Sequence, residues 1–165
     1  MTADAITTLA TLAGSALKRQ GLMLATAESC TGGGVAEAIT RIAGSSEWFD
    51  RGFVTYSNQA KAEMLGVDAA LIAAQGAVSE ETARAMAQGA IERSAAAVSL
   101  SVTGVAGPGG GSERTPVGTV CFAWCTRAGL LTSERRRFEG DREAVRRQSV
   151  IHALQGLLSV LEDSL

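Results

Sequence analysis

The segment that most restricts the fold is residues 22–34, LMLATAESCTGGG. Residues 22–27 form a short apolar run with the length and composition of a buried strand. Glu28, Ser29, Cys30 and Thr31 then bring in a carboxylate, two hydroxyls and a thiol. Gly32, Gly33 and Gly34 follow, and a helical pattern runs on to about Arg41. A chain that passes from buried strand to helix through glycines builds a strand–loop–helix unit, and such units assemble into α/β sheets. Ligands of open α/β sheets bind beyond the carboxyl ends of the strands. The polar cluster therefore stands where a site is expected.

The rest of the chain repeats the alternation. Residues 4–20 show helical spacing at Ile6, Leu9, Leu12, Ala13 and Leu17, and Gly21 ends that element. AGSSEWFD (43–50) reads as a loop, and RGFVTYS (51–57) as a strand ending near Tyr56. Ser57 or Asn58 caps a helix carrying Lys61 and Leu65, and Asp68 caps a short helical turn through Ala74. Ser79, followed by Glu80 and Glu81, opens an amphipathic helix. AAVSLSVTGVA (96–106) is a strand entering a second glycine loop, GPGGGSERTP. Residues 117–126 and about 130–138 read as a hairpin turning near Arg127–Gly129. Asp141 opens a last helix to about Leu161. Helices between the early strands and a hairpin behind them predict a three-layer α/β/α sandwich with a mixed sheet, one domain over residues 1–165.

Composition excludes several classes. With 46% hydrophobic and 19% charged residues in a chain of 165, there is enough apolar surface for a core. A formal net charge of −2 argues against a nucleic-acid binder, which is usually basic. The N-terminal segment carries an acid at Asp4 and its basic pair late, at Lys18 and Arg19, the reverse of a signal peptide. No apolar run is long enough to span a bilayer, so neither nucleic acid nor membrane is an expected partner and the expected location is the cytoplasm. Cys121 and Cys125 share a strand face with Ala123 and read as packed thiols. No cluster of metal ligands is visible, and neither metal nor cofactor is expected.

Three strand–loop–helix junctions carry unusual chemistry: ESCTGGG, TYSNQAK and TGVAGPGGG. Glycines followed by a helix can aim several amides at one point, which favours an anion: a phosphate, or the oxyanion of acyl transfer. The first loop lacks the GxxxxGK[ST] spacing of a phosphate-binding Walker loop and the GxSxG of a nucleophile elbow. An ordinary glycine turn before a helix fits it equally well. For acyl transfer, Ser29, Cys30 and Thr31 are the candidate nucleophiles. A serine needs a base. The only histidine, His152, lies in a helical stretch and reads as structural. Of the two lysines, Lys18 looks solvated. Lys61 lies near the positive end of a predicted helix, which disfavours an ammonium and suits a base. A surface lysine is the plainer reading of that position. Tyr56, the only tyrosine, ends the same strand and suits a proton relay, a stacking surface or half-buried packing.

Six blocks extend this reading: AESCTGG, GSSEWFDRGFVTYSNQAKAEMLGV, GAVSEETARAMAQGA, SVTGVAGPGGG, PVGTV and FEGDREAVRRQ. Together they resemble the C-terminal domain of the CinA family, the nicotinamide-nucleotide amidase domain, in order and spacing from about residue 4 to residue 163. Longer members often carry a further N-terminal domain similar to molybdopterin-binding proteins, and this chain looks like the stand-alone form. Gly34 extends the usual glycine pair and GSERTP varies the second loop.

The resemblance implies hydrolysis of nicotinamide mononucleotide to nicotinic acid mononucleotide and ammonia, in pyridine-nucleotide salvage, by a homodimer or higher oligomer. It matches Ser29 to the nucleophile, Lys61 to the general base and Tyr56 to a residue beside the pair. Thr103 and the glycines after it, Gly107 included, match a loop lining the pocket, and Arg142 matches a site arginine. On that basis Lys61 takes the proton of Ser29, an acyl-enzyme forms, and water resolves it. Amides around Thr31, Gly32 and Gly33 are the candidate oxyanion donors, and Arg142 is suited to the 5′-phosphate. Glu28 either bonds the pair, orients the loop or is exposed. Cys30 is the rival nucleophile, because a thiol at a helix N-terminus is acidified. A catalytically inactive nucleotide-binding or partner-binding module is the alternative. A phosphatase is a weaker one, since no carboxylate cluster offers itself to a metal.

Overall fold

In the computed structural model, which describes residues 4–163, the elements follow in the order α1 (Ala5–Gln20), β1 (Leu24–Glu28), α2 (Gly34–Thr40), β2 (Phe49–Val54), α3 (Asn58–Leu65), α4 (Ala69–Gln75), α5 (Glu80–Glu92), β3 (Val98–Gly104), β4 (Thr119–Thr126), β5 (Leu131–Arg137) and α6 (Arg142–Asp163). The five strands form one sheet in the order β2-β1-β3-β4-β5. β1 runs parallel to both β2 and β3, whereas β4 is antiparallel to β3 and to β5. The sheet is mixed, as the sequence predicts.

Period-two alternation along the strands separates the layers. Leu24 of β1, Leu100 and Val102 of β3, and Val120, Phe122 and Trp124 of β4 pack with Ala13 and Leu17 of α1, Ile39 of α2 and Leu154 and Leu157 of α6. The intervening residues face the other way and are small. Ala25 and Ala27 meet Leu65, Ile72, Met86 and Ala90, while Cys121, Ala123 and Cys125 meet Ala83 and Ala87 of α5. On β3 the small residues are serines, and Ser99 and Ser101 donate to the α5 carbonyls of Ala87 (2.7 Å) and Ala83 (2.6 Å). Small side chains and these bonds hold α5 close against the sheet. The result is a three-layer α/β/α sandwich.

Two boundaries differ from the sequence reading. AGSSEWFD contains a 3₁₀ turn at Ser45–Glu47, and its last two residues, Phe49 and Asp50, already belong to β2. The amide of Leu24 donates to Trp48 O (2.8 Å), and Leu24 pairs with Phe49, so the ladder starts earlier than local composition suggests. β2 ends at Val54, not near Tyr56. Its neighbour β1 ends at Glu28, whose carbonyl accepts the Thr55 amide at 2.8 Å, and no strand residue remains to pair beyond it. Ser57 is the cap of α3, Asp68 of α4 and Ser79 of α5, each accepting a backbone amide through its side chain.

β1 lies between β2 and β3, and the chain leaves it in one direction to β2 and then crosses to β3 on the other side. That reversal opens a crevice at the carboxyl ends of β1 and β3, the usual ligand position in such sheets. Among the described residues no helix is long and apolar enough to cross a membrane.

Candidate active site

Ser29 follows directly on β1, Thr55 and Tyr56 follow β2, and Thr103 and Gly104 close β3. All three chemistry-bearing junctions therefore meet at the crevice. Ser29, Cys30, Tyr56, Asn58, Lys61 and Arg142 line a cavity of about 170 Å³, floored by Ala77, Val78, Thr103, Gly104 and Ala106. It is smaller than the roughly 300–1,000 Å³ that encloses a whole drug-sized ligand. It suits one ring, with the remainder of a larger substrate outside.

Lys61 lies one turn before Leu65 on α3, and both point inward. The side chain is almost wholly buried, with 1% exposure. Its Nζ lies 3.2 Å from Ser29 Oγ, 3.1 Å from Thr55 O and 3.3 Å from Tyr56 O. No carboxylate pairs with it among the described residues. Burial, with no counter-ion, pulls its pKa down from the ordinary lysine value. Burial is the cause here, where the sequence pointed to the helix end. Three oxygens surround the amine; in its neutral form two N–H bonds would serve the carbonyls and the lone pair would face the serine. Ser29 Oγ also lies 3.4 Å from Tyr56 O, so a turn of its hydroxyl moves the proton from that carbonyl to Lys61.

Glu28 is buried and orients the loop. Its carboxylate accepts the Thr31 hydroxyl at 2.6 Å and the amides of Val35 and Ala36 at 2.8 and 3.0 Å. The α2 cap position is Gly33, which has no side chain to offer. Glu28 therefore supplies, from the end of β1, the anion that the helix start requires. Gly32 and Gly33 take positive φ values of 59° and 100°, which allow the chain to fold back over that carboxylate.

The expected oxyanion donors are placed unevenly. The Gly32 amide donates to Ser29 O at 3.0 Å and is committed to the turn. The Cys30 amide is turned to its own thiol, and the amides of Thr31 and Gly33 have no acceptor among the described residues. Cys30 lines the cavity; Thr31, Gly32 and Gly33 do not. The thiol of Cys30 is pushed up to about 12, first by burial and then by the Glu28 carboxylate. The acidified thiol expected at a helix N-terminus is therefore not what the fold produces, and Cys30 is a poor rival to Ser29. Burial raises the thiol of Cys125 too, and pushes that of Cys121 up to about 11.

Tyr56 is 60% exposed, so it is no packing residue. Its hydroxyl accepts from Arg142 Nη2 at 3.0 Å, while Arg142 Nη1 donates to Gly107 O at 2.8 Å. Arg142 thus joins the second and third junctions across the cavity mouth. Thr103 donates to Ala77 O at 2.8 Å. His152 lies away from this cavity. Its ring centroid is 4.6 Å from that of Phe122, and Nε2 is 2.9 Å from Glu134 Oε2. The ERRRF arginines lie on exposed β5.

Asn58, Ala77 and Val78 also line the cavity, and the sequence reading did not single them out as site residues. Asn58 had a usable signal, an amide side chain within TYSNQAK; the two apolar residues had none. Arg146 was missed too. It donates to Cys30 O and Thr31 O, and its signal was its place one helical turn beyond Arg142.

Comparison with known proteins finds close relatives of the whole chain. The chain is 57% identical over 157 residues to the nicotinamide-nucleotide amidohydrolase PncC of Pseudomonas putida, covering 95% of this chain and 98% of that protein. It is 54% identical to the protein of the same name from Escherichia coli K12, covering 95% of each. The crystal structure of the competence/damage inducible protein CihA from Agrobacterium tumefaciens superposes with a TM-score of 0.93 at 46% identity, over 96% of each chain. The model of the CinA C-terminal domain matches residues 6–161. With that match over nearly its whole length, the chain belongs to the CinA C-terminal domain family.

Proposed function

We propose that this protein is a hydrolase that deamidates nicotinamide mononucleotide to nicotinic acid mononucleotide and ammonia, through an acyl-enzyme on Ser29. The names of the relatives support the substrate. The observation that carries the mechanism is the buried Lys61 amine 3.2 Å from Ser29 Oγ with no carboxylate to hold it charged. Lys61 accepts the serine proton as Oγ attacks the carboxamide carbon. The tetrahedral oxyanion is held on the loop after Ser29, with the acceptor-free Thr31 amide as its donor. The ammonium of Lys61 then protonates the departing nitrogen, and ammonia leaves. Water enters, gives a proton to Lys61 and attacks the acyl carbon, and collapse releases the carboxylate and restores the Ser29 hydroxyl. Tyr56 and Arg142 form the wall past which ribose and phosphate extend, and the guanidinium is suited to the phosphate. Thr103, through Ala77, and Gly107, through Arg142, fix the walls. The same reading carries a homo-oligomer and a cytoplasmic location.

The test is ammonia release from nicotinamide mononucleotide by the purified chain, beside Ser29→Ala and Lys61→Met. Each substitution is expected to lower kcat at least about a thousandfold. Release that survives Ser29→Ala removes serine as the nucleophile. A parent chain that binds the nucleotide without releasing ammonia supports the binding-module alternative.

A further inference from the structure

Acyl transfer on Ser29 needs the loop after β1 held still, and α6 supplies part of the hold. Arg146 lies four residues beyond Arg142 on that helix. Its Nε donates to Cys30 O at 3.2 Å and its Nη2 to Thr31 O at 3.4 Å. A Cβ placed on Gly32 would stand 3.4 Å from Arg146 Nη2, so the guanidinium lies directly against the glycine turn. The two arginines thus hold different parts of the site. Arg142 joins Gly107 to Tyr56, and Arg146 grips the nucleophile loop.

Peptide geometry converts that grip into amide orientation. In a trans peptide the C=O of one residue and the N–H of the next point in opposite directions. Holding Cys30 O toward Arg146 turns the Thr31 N–H away from the guanidinium. Thr31 O is held twice, by Arg146 and by the Gly34 amide at 3.0 Å, and Ser29 O is held by the Gly32 amide at 3.0 Å. Three successive peptide planes are therefore fixed. From the other side Glu28 holds the Thr31 hydroxyl. Of the amides that these planes present, Gly32 is bonded to Ser29 O and Cys30 to its own thiol, and the one left without an acceptor among the described residues is that of Thr31.

We propose that Arg146 is a positioning residue for the acyl-transfer step, fixing the 30–31 and 31–32 peptide planes so that the Thr31 amide is aligned for the oxyanion when Ser29 attacks. This rests on the amidase reading. A planar guanidinium can bond two neighbouring carbonyls at once; an ammonium acts as a point charge. The grip, not the positive charge, is what the loop needs.

The experiment compares Arg146→Met and Arg146→Lys with the parent. It reads kcat, KM and the pH profile on nicotinamide mononucleotide, together with amide hydrogen exchange over residues 29–34. Arg146 side-chain atoms lie near the surface, and a thermal melt checks that each variant folds. Both variants are expected to lose roughly 10- to 100-fold in kcat. That is less than the 10²–10³ lost when an oxyanion donor is removed outright, since the amide is misaligned and not absent. KM should stay within about twofold. Arg146→Lys should keep the parental pH limb without recovering kcat, and exchange at residues 31 and 32 should quicken in both. Full activity in Arg146→Lys would overturn the proposal by showing that charge suffices. A loss confined to KM, or unchanged kcat in Arg146→Met, would overturn it too. A parent that releases no ammonia fails the amidase reading. In that case, unchanged exchange over 30–34 in Arg146→Met still refutes the grip by itself.

Discussion

Removing the Glu28 carboxylate tests the hinge between scaffold and site. Glu28 is buried at the end of β1 and accepts three hydrogen bonds, from the Thr31 hydroxyl and from the amides of Val35 and Ala36. In Glu28→Ala those donors lose their acceptor. The bonds from Thr31 and Val35 are fully buried, and a buried donor without a partner costs about 1–3 kcal/mol. Ala36 is nearer to solvent, and water can replace its bond. Loss of the anion at the α2 N-terminus adds about 0.3–1 kcal/mol. Relief from holding a charge out of water offsets part of this. The expected net loss is about 3 kcal/mol, a large share of the roughly 5–15 kcal/mol that holds a typical domain. Glu28→Gln keeps one carbonyl oxygen, which can serve Thr31 and Val35, but turns an NH₂ group toward the Ala36 amide. Its expected loss is about 1–2 kcal/mol. Urea unfolding followed by tryptophan fluorescence measures both, and the melting midpoint of Glu28→Ala should fall by roughly 6–12 °C. An alanine variant within about 0.5 kcal/mol of the parent, or a glutamine variant less stable than the alanine, would refute the assignment of this carboxylate as the cap of α2.

Further outcomes follow from the same geometry. Because Lys61 must be neutral to take a proton and burial holds its pKa down, kcat/KM should be lost as pH falls through that lowered value; a limb at or above the ordinary 10.5 would contradict it. Between the lowered value and 10.5 the unfolded chain binds the extra proton, so the stability that Lys61 contributes rises with pH across that window. The urea-derived difference between parent and Lys61→Met should then shift in favour of the parent from pH 7 to pH 10. With Cys30 pushed up to about 12 and Cys121 to about 11, and all three thiols buried, the folded chain should resist iodoacetamide at pH 8 and label at three positions in denaturant. Mass spectrometry reads the count, and rapid labelling of Cys30 in the folded state would be the contrary result. Gly156→Ala would set a Cβ 2.0 Å from a Trp124 ring carbon, so it should destabilise by about 1–3 kcal/mol and alter the tryptophan emission; a neutral effect would mean the ring can move.

The sequence was most legible where side-chain chemistry and backbone punctuation coincide. Gly21, Ser57, Asp68 and Ser79 mark real helix ends, because each satisfies a terminal backbone group or adopts a left-handed turn locally. Alternation in β4 placed Cys121, Ala123 and Cys125 on one face, where they pack against α5. Features set by partners distant in sequence were hidden. β2 begins inside a loop-like segment because β1 is there to pair with it. The pKa of Lys61 is lowered by the burial of its side chain, not by its place on a helix, and no local pattern reports burial. The sequence leaves Glu28 open between three roles, although it holds one clue. A helix whose cap position is a glycine has no capping side chain of its own, so the nearest buried carboxylate is the natural source of one.

The thin side of the sheet bears on the spacing of the reacting groups. α5 rests on alanine, serine and cysteine side chains, and α3 in turn rests on α5. Their approach is so close that a Cβ on Gly89 would lie 2.1 Å from Leu65 O. Lys61 is one turn from Leu65, while Ser29 is anchored to the sheet itself. The 3.2 Å gap between Nζ and Oγ therefore depends on the thickness of the stack as well as on the bonds that hold Nζ to Thr55 O and Tyr56 O. A methyl group added to that layer works as a shim: it lifts α5, carries α3 with it and widens the gap. Drift in these inconspicuous small residues would thus detune the pair while leaving every reactive atom in place.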